Sequence, residues 1–149
     1  MTKFIDPIRP TARAVIRRDN SLLVQLKERP ARGQYLTLPG GKQELGETLE
    51  DCVRRECAEE IGAEVAVHGL LHVAEVQKVK RDGLRHQIEF LFECSLPEGY
   101  VPQVGPHPDP SQTATIWADL TSDAHLFKPS YVRVLTDTAA PTYVGVLNG

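Results

Sequence analysis

The chain has 149 residues, of which 41% are hydrophobic and 25% charged, and its formal net charge is -3. This composition is typical of one globular domain; it argues against a disordered chain and gives no general attraction to nucleic acid. No apolar run approaches the roughly 18 residues of a membrane-spanning helix, and the N-terminal segment lacks the apolar stretch of a signal peptide. We therefore expect a single cytoplasmic domain over residues 1–149, monomeric or homodimeric, with neither a nucleic-acid nor a membrane partner.

Two short strands are predicted before a glycine-containing turn. Apolar-rich runs at residues 13–18 and 22–26 are separated by the polar residues 19–21, a pattern that predicts a hairpin. The glycine-containing turn follows at residues 39–41.

The strongest helix signal comes after this turn. Thr48 stands three residues before Asp51, a variant of the capping box, and Gly62 is the residue type that a helix C-terminus favours. These signals predict a helix over residues 49–61.

The second half of the chain predicts further strands, a loop and one more helix. Residues 70–76 and 87–96 flank the turn signal Asp82-Gly83, which predicts a long antiparallel pair. Five prolines in residues 97–112 predict a surface loop. The remaining predicted elements are a strand at residues 114–117, a helix around residues 131–135 and an edge strand at residues 142–147. Strands combined with two helices predict an α/β or α+β sandwich.

The central helix carries carboxylates where apolar residues are expected. At about 100° per residue, Glu56 and Glu60 continue the apolar stripe of the first helical turns, and Glu59 lies beside them. Burying neighbouring carboxylates costs several kcal/mol unless cations or hydrogen bonds compensate. Oxygen ligands without histidine or thiolate favour Mg²⁺, Mn²⁺ or Ca²⁺, and Mg²⁺ often also binds a substrate's phosphates. The alternative is an ordinary acidic helix whose carboxylates face solvent.

The residues around the turn fit the metal interpretation. The Gly40 carbonyl could complete a metal shell, and Gly41 permits the close backbone approach of a substrate. Arg55 can pair with a neighbouring carboxylate, for which Glu47 is a candidate.

This pattern resembles the motif of the Nudix hydrolases, which is G, five residues, E, seven residues and REUXEEXGU, with U an aliphatic residue. Residues 41–63 carry every invariant letter of the motif, namely Gly41, Glu47, Arg55, Glu56, Glu59, Glu60 and Gly62. Only the two U positions depart, because Cys57 and Ala63 are small. The resemblance implies an α/β/α sandwich, with a mixed sheet flanked by the motif helix and a C-terminal helix.

The resemblance also implies a reaction, the hydrolysis of a nucleoside diphosphate linked to a group X, with divalent cations bound to the motif. By this resemblance the metal ligands are Glu56, Glu59, Glu60 and the Gly40 carbonyl. The residues that we expect to carry catalysis are Glu47, Arg55, Glu56 and Glu59, with Arg55 and Glu47 orienting the glutamates. Glu56 is our first choice of general base. Glu89 and Glu93 are the reserve candidates for the general base, and a plain solvent-facing role is the alternative for each.

Residues outside the motif must select the substrate. Arg29 could hold a phosphate or merely be exposed, and Tyr35 could stack a base, although packing is favoured. Phe127 and Tyr131 could line a base pocket, but aromatic residues at this spacing are usually core. Basic residues at 78–85 favour a solvated hairpin, with a small anionic ligand as the alternative.

The leading hypothesis is Mg²⁺-dependent hydrolysis of a nucleoside or deoxynucleoside triphosphate to monophosphate and pyrophosphate, with Mn²⁺ as an alternative metal. ADP-ribose, nucleotide sugars and dinucleoside polyphosphates are alternative substrates. The proline that ADP-ribose hydrolases carry after the motif is absent at Gln77 and Lys78. The alternative from a different class of protein is a regulator that binds nucleotides without useful catalysis.

Overall fold

The structure is a computed structural model that describes residues 7–148. The strands are β1 (Arg9–Val15), β2 (Arg17–Arg18), β3 (Ser21–Arg29), β4 (Gly33–Thr37), β5 (Gly40–Lys42), β6 (Ala66–Lys80), β7 (Gly83–Ser95), β8 (Gln112–Asp119) and β9 (Tyr143–Asn148). The helices are α1 (Leu49–Ile61), α2 (Val132–Thr136) and a 3₁₀ turn at Ala124–Leu126. No helix in the described part of the chain is long and apolar enough to cross a membrane.

The strands form two sheets. In the first sheet the order is β5-β1-β7-β6-β9, with parallel pairs β1/β7 and β6/β9 and antiparallel pairs elsewhere. In the second sheet β3 pairs antiparallel with β2, β4 and β8. The mixed first sheet confirms the predicted fold class.

Helices cover both faces of β7. Its residue Phe92 packs in an apolar cluster that contains Cys52 and Val53 of α1. The adjacent residue Leu91 packs in a second cluster, which includes Tyr131 and Leu135 of the α2 region. Successive side chains of a strand point to opposite faces, so the sheet lies between the two helices. This arrangement confirms the α/β/α sandwich and places Phe127 and Tyr131 in the core.

The capping signals position α1. The Thr48 hydroxyl accepts a hydrogen bond from the Asp51 N–H at 3.1 Å, and Gly62 ends the helix with a left-handed φ of 63°. The predicted bounds of residues 49–61 are confirmed. The later strands are also confirmed, although β6 and β7 are longer than predicted.

The predicted first hairpin is mostly wrong. Only Arg17–Arg18 pairs with β3, whereas β1 belongs to the other sheet and pairs with β5 and β7. Residues 14–16 are all buried, as is common in a strand covered on both faces, so the hydrophobic run did not mark a hairpin.

The predicted glycine turn is also wrong, because Gly40 and Gly41 lie in strand β5. A Cβ atom on Gly40 would stand 2.0 Å from the Ala12 carbonyl oxygen, and the φ of Gly40 is 145°. The glycine therefore allows β5 to approach β1 more closely than any side chain would permit.

Candidate active site

The C-terminal half of α1 presents three carboxylates at graded depth. Glu60 is buried, with 7% of its surface exposed. The side chains of Glu56 and Glu59 are 14% and 37% exposed. The predicted inward position is therefore confirmed for Glu60 and, in part, for Glu56, and the fully solvent-facing alternative is wrong.

Arg55 joins the motif carboxylates to one another. Its Nε and Nη2 atoms donate to the two oxygens of Glu47 at 2.6 and 3.0 Å, a bidentate pair. Its Nη1 atom donates to Glu56 at 3.0 Å and to Glu59 at 3.3 Å. The hydrogen bond with Glu47, and then the charge of Glu56, raise the pKa of the Arg55 guanidinium, and the same bond lowers the pKa of Glu47. The structure thus brings together the four residues expected to carry catalysis.

Glu60 lies in a less compensated environment. Its Oε1 atom accepts a hydrogen bond from the Gly40 N–H at 3.3 Å. Burial, followed by the charge of Glu56, raises the pKa of Glu60 to about 7. The two carboxylates are close enough to repel each other in a poorly solvated place.

The two glycines of β5 serve this arrangement in different ways. A Cβ atom on Gly41 would lie 2.7 Å from the Glu56 carboxylate, so the absence of a side chain makes room for that acid. The Gly40 carbonyl accepts a hydrogen bond from Arg13 Nη1 at 2.9 Å. Because a carbonyl oxygen has two lone pairs, this contact leaves one for the predicted metal bond.

Sequence reasoning missed Arg13 and undervalued Glu89. Arg13 Nε donates to Glu89 Oε2 at 3.2 Å, and the Thr11 hydroxyl donates to the same oxygen at 3.0 Å. Burial alone would lower the pKa of Arg13, but the charges of Glu89 and Glu60 raise it. A solvent-facing Glu89 is wrong, because the residue is 1% exposed. Its neighbour Leu91 is also core, since this face of β7 is covered as well.

A cavity of about 220 Å³ adjoins Arg13 and Glu89. Its lining includes charged side chains of both signs: the cations Arg13, Lys27, Arg29, Arg32, Lys78, Arg85 and Lys128 and the carboxylates Glu89 and Asp109. Arg29 therefore lies where a phosphate could reach it, and Tyr35 is both buried and part of the lining. Glu93 is exposed and lines a different cavity, so the structure separates it from this site.

The loop before β8 fixes the end of α1. Donors from this loop and from the first residue of β8 bind the last carbonyls of the helix. The Glu59 carbonyl accepts a hydrogen bond from the His107 N–H at 2.8 Å, and the Glu60 carbonyl accepts from the Gly105 N–H and from the Gln112 side-chain amide, both at 2.9 Å. The Ile61 carbonyl accepts from the Tyr100 hydroxyl at 2.5 Å. These bonds satisfy backbone groups that a helix end leaves open. The loop therefore positions the turn that carries Glu59 and Glu60.

The donor atoms suit a hard divalent cation. They are carboxylate and carbonyl oxygens, and a cation beside Glu56 and Glu60 would relieve their repulsion. Glu89 Oε1 is a further buried acceptor without a hydrogen-bond partner in the described part of the chain. Within residues 7–148 no three His, Cys, Asp or Glu side chains are grouped closely enough to hold a metal ion. Water and substrate phosphates would therefore supply the remaining ligands, as Mg²⁺ commonly requires.

Comparison with known proteins agrees with this geometry. A model of the NUDIX domain matches residues 7–134. An ADP-ribose pyrophosphatase of Methanocaldococcus jannaschii is 40% identical over 79 residues, which are 52% of this chain and 45% of that protein. The matched segment is thus less than half of that relative.

Two solved structures show the same fold. A Nudix hydrolase from Nitrosomonas europaea has a TM-score of 0.70 at 19% identity, over 86% of this chain and 85% of that chain. A MutT Nudix hydrolase from Burkholderia pseudomallei has a TM-score of 0.60 at 28% identity, over 77% of this chain and 85% of that chain. The chain belongs to the Nudix family. Members of this family generally use divalent metals.

Proposed function

We propose that the protein hydrolyses a pyrophosphate bond of a nucleoside diphosphate linked to X, and that its main substrate is a nucleoside or deoxynucleoside triphosphate. The products are a nucleoside monophosphate and pyrophosphate, and the cofactor is Mg²⁺, with Mn²⁺ as a substitute. A small nucleotide is the only partner that this reaction needs, and a cytoplasmic location agrees with such a substrate.

The proposal depends on one observation: Arg13 connects the motif to the cation-lined cavity. This guanidinium contacts the Gly40 carbonyl beside the motif and Glu89 in the cation-lined cavity. In the same cavity the pKa of Lys27 is lowered, first by burial and then by the charge of Arg13. The charges of Asp109 and Glu60 raise this pKa, but not enough to cancel the lowering. A substrate at this position could therefore contact the motif carboxylates and the cations of the cavity at the same time.

The motif residues have different roles in the proposed hydrolysis. Glu56, Glu59 and Glu60 would have to draw closer together than they stand in the metal-free chain to hold the metal with the Gly40 carbonyl. When bound, the metal would offset charge on the phosphate oxygens and lower the pKa of water. Arg55 holds Glu56 and Glu59 in place through hydrogen bonds. A carboxylate takes the proton of the attacking water, the new phosphorus–oxygen bond forms, and the bond to the leaving pyrophosphate breaks.

Turnover of a substrate panel tests this proposal. We expect metal-dependent release of pyrophosphate from nucleoside triphosphates, and at least a hundredfold loss of kcat in Glu59→Gln and Glu60→Gln. Glu50→Gln is the matched control, because Glu50 lies on the same helix with a 58% exposed side chain and pairs with Arg54 at 3.7 Å. Normal turnover in both site variants would reject the assignment. Binding of nucleotides without turnover would favour a regulator.

Glu56 is proposed as the general base, and Glu89 is the competing candidate. Both carboxylates are largely buried, and Glu89 Oε1 has no hydrogen-bond partner in the described part of the chain. The base variant should lose the acidic limb of the pH profile of kcat, whereas a variant in a merely positioning residue should retain it. Comparing Glu56→Gln with Glu89→Gln therefore decides between them.

ADP-ribose is the second candidate substrate. The similarity to an ADP-ribose pyrophosphatase over 79 residues supports it. The ratio of kcat/KM for the triphosphates to kcat/KM for ADP-ribose separates the two candidates, and a ratio below one would favour ADP-ribose.

A further inference from the structure

Two hairpins bring four cations together in the lining of the cavity. Arg29 and Arg32 lie at the turn between β3 and β4, where the Arg32 N–H donates to the Arg29 carbonyl at 3.0 Å. Lys78 and Arg85 are directly opposite each other in the register of β6 and β7. All four side chains line the cavity, and we name them the basic quartet.

The basic quartet brings like charges together, and Asp109 in the same cavity attracts only part of it, through Arg29. Like charges directly opposite each other on two strands are destabilising. Burial, then the charges of Arg32, Arg29 and Arg85, lower the pKa of Lys78 to about 8. In addition, the Arg85 Nε atom is buried and has no hydrogen-bond partner in the described residues. A desolvated donor among repelling cations indicates that an anion belongs there.

The size of the cavity limits what part of a ligand it can hold. Its volume of about 220 Å³ lies below the roughly 300–1,000 Å³ of pockets that enclose a whole small molecule. It also shares Arg13 and Glu89 with the candidate active site. The occupant should therefore be one anionic part of a substrate whose other part lies at the motif.

We propose that the basic quartet is a subsite for a phosphorylated group X, so that the protein selects nucleoside diphosphates linked to phosphate over those linked to an uncharged sugar. This inference rests on the proposed function. It assigns the terminal phosphate of a nucleoside triphosphate to the quartet. ADP-ribose, whose X is an uncharged ribose, leaves the subsite without its anion.

Calorimetry with inorganic tripolyphosphate, in chelator and without metal, tests the subsite independently of turnover. We expect binding to the unaltered protein and about tenfold weaker binding in each of Lys78→Gln and Arg85→Gln. Arg81→Gln is the matched control, because Arg81 is exposed at the turn of the same hairpin and does not line the cavity. No binding to the unaltered protein, or equal affinity in all variants, would overturn the inference.

Two further readouts separate a binding role from a structural one. Lys78→Gln and Arg85→Gln should keep or raise the melting temperature, because each removes a repelling charge; a clear fall would overturn the inference. With Mg²⁺, each should lower the ratio of kcat/KM for triphosphates to kcat/KM for ADP-ribose by about tenfold, through KM. An equal fall for both substrates also counts against it. If neither substrate is hydrolysed, the proposed function fails and calorimetry alone decides the subsite.

Discussion

Glu60 makes the stability of the metal-free protein depend on pH. Its pKa of about 7 in the folded protein lies above the ordinary value of 4.5, because burial and Glu56 disfavour the charged form. The folded state therefore holds this proton more tightly than the unfolded chain does. The stabilisation is complete below pH 4.5 and is lost as the pH rises through about 7, a loss of about 3 kcal/mol at most.

Urea denaturation in chelator, at about pH 5 and about pH 8, measures this loss. Glu60→Gln should remove most of the pH dependence, and added Mg²⁺ should restore stability to the unaltered protein at the higher pH. Glu50→Gln should behave like the unaltered protein. Unchanged pH dependence in Glu60→Gln would show that this carboxylate is already compensated.

Arg55 is a second residue whose geometry predicts a measurable effect. Its guanidinium makes a bidentate pair with Glu47 and also reaches Glu56 and Glu59. A lysine keeps the charge but cannot hold three carboxylates in a planar fork. We expect Arg55→Lys to lower kcat/KM and Mg²⁺ affinity by about 10- to 100-fold. Arg54→Lys is the control, because Arg54 is 46% exposed and, within residues 7–148, its ion pairs are with nearby acids of the same helix. Equal losses in both variants would contradict this role.

The sequence specified one half of the candidate site much better than the other. The motif residues are close in the chain, and Arg55, Glu56, Glu59 and Glu60 share helix α1. Glu47, just before the helix, could therefore be named from the sequence as a candidate partner of Arg55. Arg13 and Glu89 are far apart in the chain and meet only because β1 pairs in parallel with β7. The only sign in the sequence that Arg13 belongs to the site is that it is a charged residue between two small apolar ones, Ala12 and Ala14. The alternation of polar and apolar residues along β7 could not reveal that both faces of this strand are covered.

At the scale of elements, the loop over residues 97–112 determines where α1 ends in space. Gly105 passes so close to the helix that a Cβ atom would stand 2.4 Å from the Glu59 carbonyl oxygen. Gly105→Ala should therefore push the loop away and weaken the bonds to the last helical turn. We expect a loss of about 1–3 kcal/mol in stability, with reduced activity, because Glu59 and Glu60 lie in that turn.

Thermal unfolding of Gly105→Ala, with kcat measured on the same preparation, checks this effect. Gly69→Ala is the control, because a Cβ atom on Gly69 meets no atom within 4 Å. A melting temperature equal to that of the control would show that the loop yields without cost.

The elements predicted correctly are those with local signals. The hydroxyl of Thr48 caps the start of helix α1 and Gly62 ends it. The turn Asp82-Gly83 joins β6 to β7. Residues that are close in the chain therefore suffice to define the helix and the strand pair. The short strand β5 was missed because its glycines serve contact with β1, a partner far away in the chain. The second helix was predicted, but α2 has only five residues. The single domain over residues 1–149 stays a prediction.

At the scale of the whole molecule, the net charge is -3, which opposes the approach of an anionic nucleotide. The basic quartet reverses the sign of the field locally, and such fields speed association at low ionic strength. Raising the salt from about 0.1 M to about 1 M shortens the screening length from about 10 Å to about 3 Å. We therefore expect kcat/KM for nucleoside triphosphates to fall by about tenfold over this range.

Two single substitutions separate net charge from charge position. Arg85→Gln and Arg81→Gln lower the net charge by the same amount, but only Arg85 lines the cavity. If position matters, Arg85→Gln flattens the dependence of kcat/KM on salt and Arg81→Gln leaves it unchanged. If only the net charge of the protein matters, both variants change the salt dependence equally, and the local field then has no part in guiding the substrate.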